Sequence, residues 1–240
     1  MDEQHPILEQ LKKHIKQLQK NAETNSTYVS TGAMRRVLHS LDAMTQEFGI
    51  DERLEVVEFL YQKGALTCHL CATHLLNSSL SEISEAHLPM IQKFVHSFDS
   101  WGVVDDFGTT VLPKLLQKFP QPMMTMIEEW NRSPNMWERR LSMVAFTRNL
   151  GESGLYTEPC LRLAENLLQD PEDLVQKAVG WALKDNMRGS KERVLAYVKD
   201  LRKRGISSVI TLYAIRDLNG KEREEVLALK PHKPKRKKDQ

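Results

Sequence analysis

The sequence predicts an all-α protein built as a stack of helix pairs, and three observations lead there. Apolar residues recur near a 3.6-residue period from the N-terminal region to about residue 228. Strand-like alternation is nearly absent. The breaks between periodic segments are short and carry Gly or Pro: Gly64, Gly151, Gly154, Asp170-Pro171, Gly189-Ser190 and Gly205. Loops that short force consecutive helices into antiparallel pairs, so about a dozen helices imply roughly five or six two-helix units, an α-solenoid. The repeat period itself is weak, and an ordinary helical bundle is the second architecture.

Helices are predicted over 6–20, 31–47, 51–63, 66–77, 84–98, 101–118, 121–132, 135–150, 157–169, 172–187, 191–203, 205–217 and 221–228. Leu66, Leu70, Leu75 and Leu76 supply the apolar positions of the fourth. Val103, Val104, Phe107, Val111 and Leu115 make one buried arc along 101–118. Phe119-Pro120 and Ser133-Pro134-Asn135 each end one helix and start another. Trp137, Leu141 and Val144 lie close together on the wheel of 135–150, which places Trp137 in the core. Asp170-Pro171-Glu172-Asp173 puts a proline and two acids in a first turn, where the missing amide and the helix dipole favour them. Gly189-Ser190 and Gly205 separate the following helices. The whole of 1–229 reads as a single HEAT-like helical repeat domain. Residues 230–240, Lys-Pro-His-Lys-Pro-Lys-Arg-Lys-Lys-Asp-Gln, form a basic tail that cannot build a core and is expected to be disordered.

Composition excludes several classes. Of the 240 residues, 28% are charged and 40% hydrophobic, a globular rather than a disordered balance. No apolar run approaches membrane-spanning length, and Met1-Asp2-Glu3-Gln4-His5-Pro6 lacks the pattern of a signal peptide. A cytoplasmic monomer with no membrane association is expected. The net charge of +2 is too small to predict a polyanion partner, so any such partner needs the positive charge gathered on one surface. Three cysteines make no disulfide framework. Cys68-His69-Leu70-Cys71-Ala72-Thr73-His74 has helical metal-ligand spacing, but no second Cys-x-x-Cys follows, and buried small thiols explain it as well. No metal or cofactor is expected.

Three segments carry chemistry. In 175–188, Val175, Ala178, Val179, Ala182 and Leu183 form an apolar arc, while Lys177, Trp181, Lys184 and Arg188 share a stripe largely outside it. An aromatic ring between cations either packs under a neighbouring helix or meets a polyanion, with cations on phosphates and the ring on a base or sugar. In 99–108, Trp101 and Asp105 are one turn apart on the flank of the arc, a carboxylate held against an indole; Asp99 better fits the simple role of an acid at the helix start. In 135–144, Arg140 lies at the edge of the apolar face, where it snorkels to solvent or reaches an anion. Arg139 beside it reads as a surface charge.

Together, Trp101-Gly102-Val103-Val104-Asp105, Trp137-Glu138-Arg139-Arg140 and Gln176-Lys177-Ala178-Val179-Gly180-Trp181-Ala182-Leu183-Lys184 resemble, in order and spacing, the AlkD-type DNA alkylation repair glycosylases. The similarity runs from about Tyr28 to Leu201. It implies a C-shaped solenoid with a basic concave groove for duplex DNA, and excision of cationic N3- or N7-alkylated purines. Asp105 matches the catalytic carboxylate, and Trp101 and Trp181 match the indoles that flank the lesion's deoxyribose. Arg140 matches the arginine that grips the backbone, and Lys184 another basic position; Lys177, Arg188 and Arg139 complete the expected DNA contacts. The family usually has an acid directly after the first tryptophan, where this chain has Gly102. The resemblance also implies that the base stays in the duplex rather than entering a pocket. A non-catalytic binder of damaged or branched DNA is the competing function, and a protein-interaction scaffold a third.

Overall fold

The computed structural model describes residues 31–63 and 66–231, together with Lys13. Every regular element among them is helical, in the solenoid-like succession of HEAT-like repeats. Apart from Lys13, the helix predicted over 6–20 lies outside the described residues, as does the basic tail beyond Pro231. No helix among the described residues is long and apolar enough to cross a membrane. The chain divides into two compact units, residues 1–123 and 124–240.

The first unit contains α1 (Thr31–Thr45), α2 (Ile50–Gln62), α3 (Leu66–Ser78), a 3-10 turn (Glu85–His87), α4 (Leu88–His96), α5 (Trp101–Thr110) and α6 (Leu112–Lys118). Helix α3 packs on α1, α2 and α5. Its core is built from Leu54, Val57 and Leu60 of α2, Leu75 and Leu76 of α3, and Val104 and Phe107 of α5, all buried. A chain of rings runs through it, with centroids 5.0 Å apart for Tyr61–Phe98 and 5.3 Å for Phe98–Phe107. The predicted 101–118 helix is two helices, α5 and α6, meeting at Val111. Pro113 lacks an amide and favours the first turn of a new helix over the interior of an old one. The predicted 84–98 helix likewise opens as a 3-10 turn and becomes regular only at Leu88, with Pro89 in the first turn. The loop before it is held by Lys118, whose Nζ donates to the carbonyls of Leu80 (2.8 Å), Ser81 (2.9 Å) and Ile83 (2.7 Å).

The boundary between the units falls within α7 (Pro120–Asn131). The second unit continues with α8 (Met136–Val144), α9 (Arg148–Glu152), α10 (Thr157–Leu167), α11 (Asp173–Gly189), α12 (Lys191–Arg204), α13 (Ser208–Ala214) and α14 (Gly220–Ala228). Helix α11 is its centre and packs on α8, α9, α10, α12 and α13. Its arc Val175, Ala178, Val179, Ala182 and Leu183 is fully buried, as the periodicity requires. Gly180 makes the contact with α13 possible: a Cβ there would lie 2.7 Å from Tyr213 Cβ and 2.9 Å from the Ile210 carbonyl oxygen.

The predicted 135–150 helix also divides. α8 stops at Val144, and α9 begins at Arg148 after a turn. Side chains of α11 take the backbone groups the turn exposes: Asn186 Nδ2 donates to the Phe146 carbonyl (2.9 Å), and Asp185 Oδ2 accepts from the Arg148 amide (2.7 Å). Long-range partners thus outcompete helix continuation. Trp137, expected in the core, is only half-buried, because it sits in the first turn of α8; Trp130 of α7 is the fully buried indole. Leu141 and Val144 are buried as expected. The helix predicted over 205–217 narrows to α13, which starts where Ser207 Oγ accepts from the Val209 amide (3.2 Å).

Candidate functional site

The site residues expected from sequence fall into two sets, one in each unit. Trp101 and Asp105 belong to the first. Trp101 opens α5 after Ser100, whose extended backbone is that of an N-cap. Trp101 is 61% exposed, in contrast to the buried Val103, Val104 and Phe107 of the same helix. Asp105 is half-buried one turn further on, and its carbonyl accepts from Thr109 Oγ1 (2.7 Å). At Gly102 an added Cβ would meet only the tip of Leu66, at 3.4 Å, so space alone does not require glycine there. Leu66, whose tip lies against Gly102, and Trp101, which precedes that glycine, are both exposed.

Asp106, next to Asp105 in the chain, belongs to a polar cluster that sequence reasoning missed. Tyr61 Oη and Thr73 Oγ1 share a hydrogen bond of 3.1 Å, and His69 Nε2 lies 3.2 Å from the Tyr61 carbonyl oxygen. Burial pushes the Asp106 carboxyl above the ordinary carboxylate range, against the opposing effects of the Thr73 hydrogen bond and the nearby His69. Burial likewise depresses His69. The four residues of the Cys-His spacing go separate ways. Cys68 and Cys71 are buried, and burial pushes the Cys71 thiol up to about 12, which disfavours the thiolate that ligates metals. His74 Nε2 pairs with Asp42 at 2.9 Å. Among the described residues no group of three or more His, Cys, Asp or Glu could hold a metal ion.

The second set gathers on α8 and α11. Lys177, Trp181, Lys184 and Arg188 all lie on α11, as expected, and Trp181 is half-buried. The stripe is not a bare row of cations. Lys177 Nζ pairs with Asp173 Oδ2 (2.5 Å), and Lys184 Nζ with Asp185 Oδ1 (2.8 Å) and Asp217 Oδ2 (3.6 Å). Arg188 pairs with Glu152 and with Asp217 (2.6 Å). The Arg188 guanidinium holds the Asp217 carboxyl below the ordinary carboxylate range, aided by Lys184. Lys184, Arg188, Lys191 and Asp217 line a cleft of about 250 Å³ with Met187, Ala214 and Leu218.

Of the two arginines of α8, one departs from the sequence reading. Arg139, expected as a surface charge touching DNA, is half-buried. Its Nε and Nη2 engage both oxygens of Asp170 (2.6 and 3.2 Å), and its Nη1 donates to the carbonyls of Ser133 (3.0 Å) and Pro134 (2.9 Å). It ties the loop before α8 to the loop before α11. Arg140 is only 6% exposed, and its Nη1 donates to the Leu174 carbonyl in the first turn of α11. Arg148 went unread because the helix was expected to run through it. Its guanidinium lies over the Trp181 ring, 5.2 Å from the centroid.

A family model for the DNA alkylation repair enzymes matches residues 5–218 of the 240. The chain belongs to that family. No individual curated protein matches it significantly. The match spans both sets of residues, so the Trp101–Asp105 helix and the cation-flanked Trp181 helix are parts of one DNA alkylation repair enzyme chain.

Proposed function

We propose that this DNA alkylation repair enzyme is a glycosylase that hydrolyses the N-glycosidic bond of cationic N3- or N7-alkylated purines in duplex DNA. The observation that carries the reading is α5: an indole exposed at the helix start, with a carboxylate one turn behind it. A tryptophan exposed to that extent keeps most of its surface outside the core, and the neighbouring carboxylate suits it to a cationic partner.

The chemistry asks little more. Alkylation at N3 or N7 leaves the purine with a formal positive charge, so the base departs without being protonated and no separate general acid is needed. As the bond between the sugar and the base nitrogen breaks, its electron pair leaves with the now neutral base, and positive charge develops on the sugar. The Asp105 carboxylate and the electron-rich face of Trp101 stabilise that cation, and Trp181 is assigned a second such face. Asp105 also orients the attacking water, whose oxygen bonds to the sugar carbon and whose proton is lost to solvent. Arg140, Lys184, Lys177 and Arg188 are assigned to the DNA backbone.

Duplex DNA carrying a single N7-methylguanine tests the reading through release of the free base. Asp105→Asn keeps size and hydrogen bonding but removes the charge. It is expected to slow release at least about tenfold, the effect of losing about 1.4 kcal/mol of transition-state stabilisation, with duplex affinity unchanged or raised. Release by Asp105→Asn at the unaltered rate removes the assigned role. If the unaltered protein releases no base above the spontaneous rate, it is a non-catalytic binder of damaged DNA.

A further inference from the structure

Arg148 stands out from the other cations near Trp181. Lys177, Lys184 and Arg188 each pair with carboxylates. Among the described residues no carboxylate pairs with Arg148; the contact made by its exposed side chain is the one with the Trp181 ring, 5.2 Å from guanidinium to centroid. The backbone is equally unusual. Arg148 has φ 54°, the one positive φ at a non-glycine among the described residues. A long side chain rarely adopts that region, and it persists only where the surroundings impose it. Here they do: the Arg148 amide donates to Asp185 Oδ2 at 2.7 Å, and Asp185 is buried one helical turn beyond Trp181. Amide and guanidinium are therefore both anchored on the same face of α11. The turn is fixed from the other side as well, by Asn186 Nδ2 on the Phe146 carbonyl (2.9 Å). A folded chain gains nothing obvious from placing arginine in this conformation, since glycine or asparagine would occupy it with less strain.

We propose that Arg148 is a positioning residue: it holds the Trp181 ring by stacking on it and presents an unpaired cation to a phosphate of the duplex backbone. The proposal rests on the reading of the protein as a DNA-engaging repair enzyme and adds a residue to it. The planar guanidinium suits both tasks, because one face covers the indole while its in-plane N–H groups remain available to an oxyanion. The unpaired state matters. A phosphate approaching Arg188 must displace Glu152 and Asp217, whereas one approaching Arg148 displaces only water and counterions.

The test compares Arg148→Asn, Arg148→Gly and Arg148→Lys with the unaltered protein on undamaged duplex. Asn and Gly tolerate the positive φ, so neither is expected to lower the thermal midpoint. Both are expected to weaken duplex binding roughly tenfold and to reduce the log–log salt slope by about 0.9, the loss of one phosphate contact. Both also shift the tryptophan emission and raise its quenching by acrylamide, as the ring loses its cover. Arg148→Lys keeps the salt slope, because the charge remains, but not the emission, because the stacking plane is gone. An unchanged slope and emission in a folded Arg148→Gly protein overturns the proposal, as does a slope lost equally in Arg148→Lys. Base release from N7-methylguanine duplex, measured in parallel, separates the two readings. If the unaltered protein releases no base, the glycosylase assignment fails while the slope still decides the role of Arg148.

Discussion

Replacing Arg139 with alanine separates a structural arginine from a DNA-binding one. Four hydrogen bonds disappear: two to Asp170, one to the Ser133 carbonyl and one to the Pro134 carbonyl. The larger effect is on what remains. The Asp170 side chain is only 4% exposed, and without Arg139 its carboxylate keeps just the Glu172 amide at 2.9 Å. Removing one partner of a largely buried pair costs about 3–5 kcal/mol, mostly from the uncompensated charge. Because the pair borders an open cleft and Arg139 itself is half-buried, the low end applies, about 3 kcal/mol. At about 3 °C per kcal/mol for a chain of this length, the thermal midpoint should fall by roughly 9 °C. Differential scanning calorimetry reads it directly. Adding Asp170→Asn to Arg139→Ala should recover at least about 1 kcal/mol, since it removes the orphaned charge. Duplex affinity of the folded fraction should be nearly unchanged. An unaltered midpoint together with a large loss of duplex affinity would refute this reasoning and return Arg139 to the DNA surface.

Gly180→Ala is expected to lose about 1–2 kcal/mol in chemical denaturation, since the new Cβ meets Tyr213 Cβ at 2.7 Å and the Ile210 carbonyl at 2.9 Å; overpacking of about 1–3 kcal/mol is only partly offset by the better helix propensity of alanine. An unchanged or raised stability would mean that α11 and α13 separate without loss. Asp106→Asn is expected to raise the thermal midpoint at neutral pH, because burial lifts the Asp106 carboxyl above its unfolded value of about 3.9. The folded state then takes up the proton first as pH falls, so this group favours folding most when protonated and disfavours it as pH rises through the folded value. The advantage of the variant should therefore shrink steadily on acidification toward about pH 4, and a gain that is independent of pH would assign the effect to packing instead.

Local sequence carried much of this. The apolar arc of α11 and its polar stripe were legible because both are properties of one helix, whose 3.6-residue period sorts side chains by face whatever lies beyond. Trp101 and Asp105 were legible for the same reason, as residues one turn apart on α5. What stayed hidden depends on partners far along the chain. Nothing near Arg139 announces Asp170, 31 residues on, so a guanidinium that knits two loops reads as a surface charge. The turn at 145–147 was hidden because the groups that end α8 and set Arg148 come from Asp185 and Asn186, about forty residues later. Prolines offered a signal that went unused: Pro113 and Pro89 mark helix starts inside segments whose apolar period runs straight through them.

The ion pairs on α11 change what a cationic stripe means. Lys184 and Arg188 converge on Asp217, and Arg188 also on Glu152, so the cleft they line is close to neutral in the free protein. Pairs as exposed as those of Arg188 contribute about 0–1 kcal/mol each, little enough for a phosphate oxygen to replace a carboxylate oxygen at small cost. The exchange has a further effect. A cation already neutralised by a protein carboxylate holds few condensed counterions of its own, and the carboxylate it gives up stays attached to the chain. Such a cation adds geometry to DNA binding but little to its free energy. The favourable electrostatics are then expected from cations without such partners, which is why the proposed contact of Arg148, over Trp181, is expected to contribute more than its single charge suggests beside the more conspicuous row along α11.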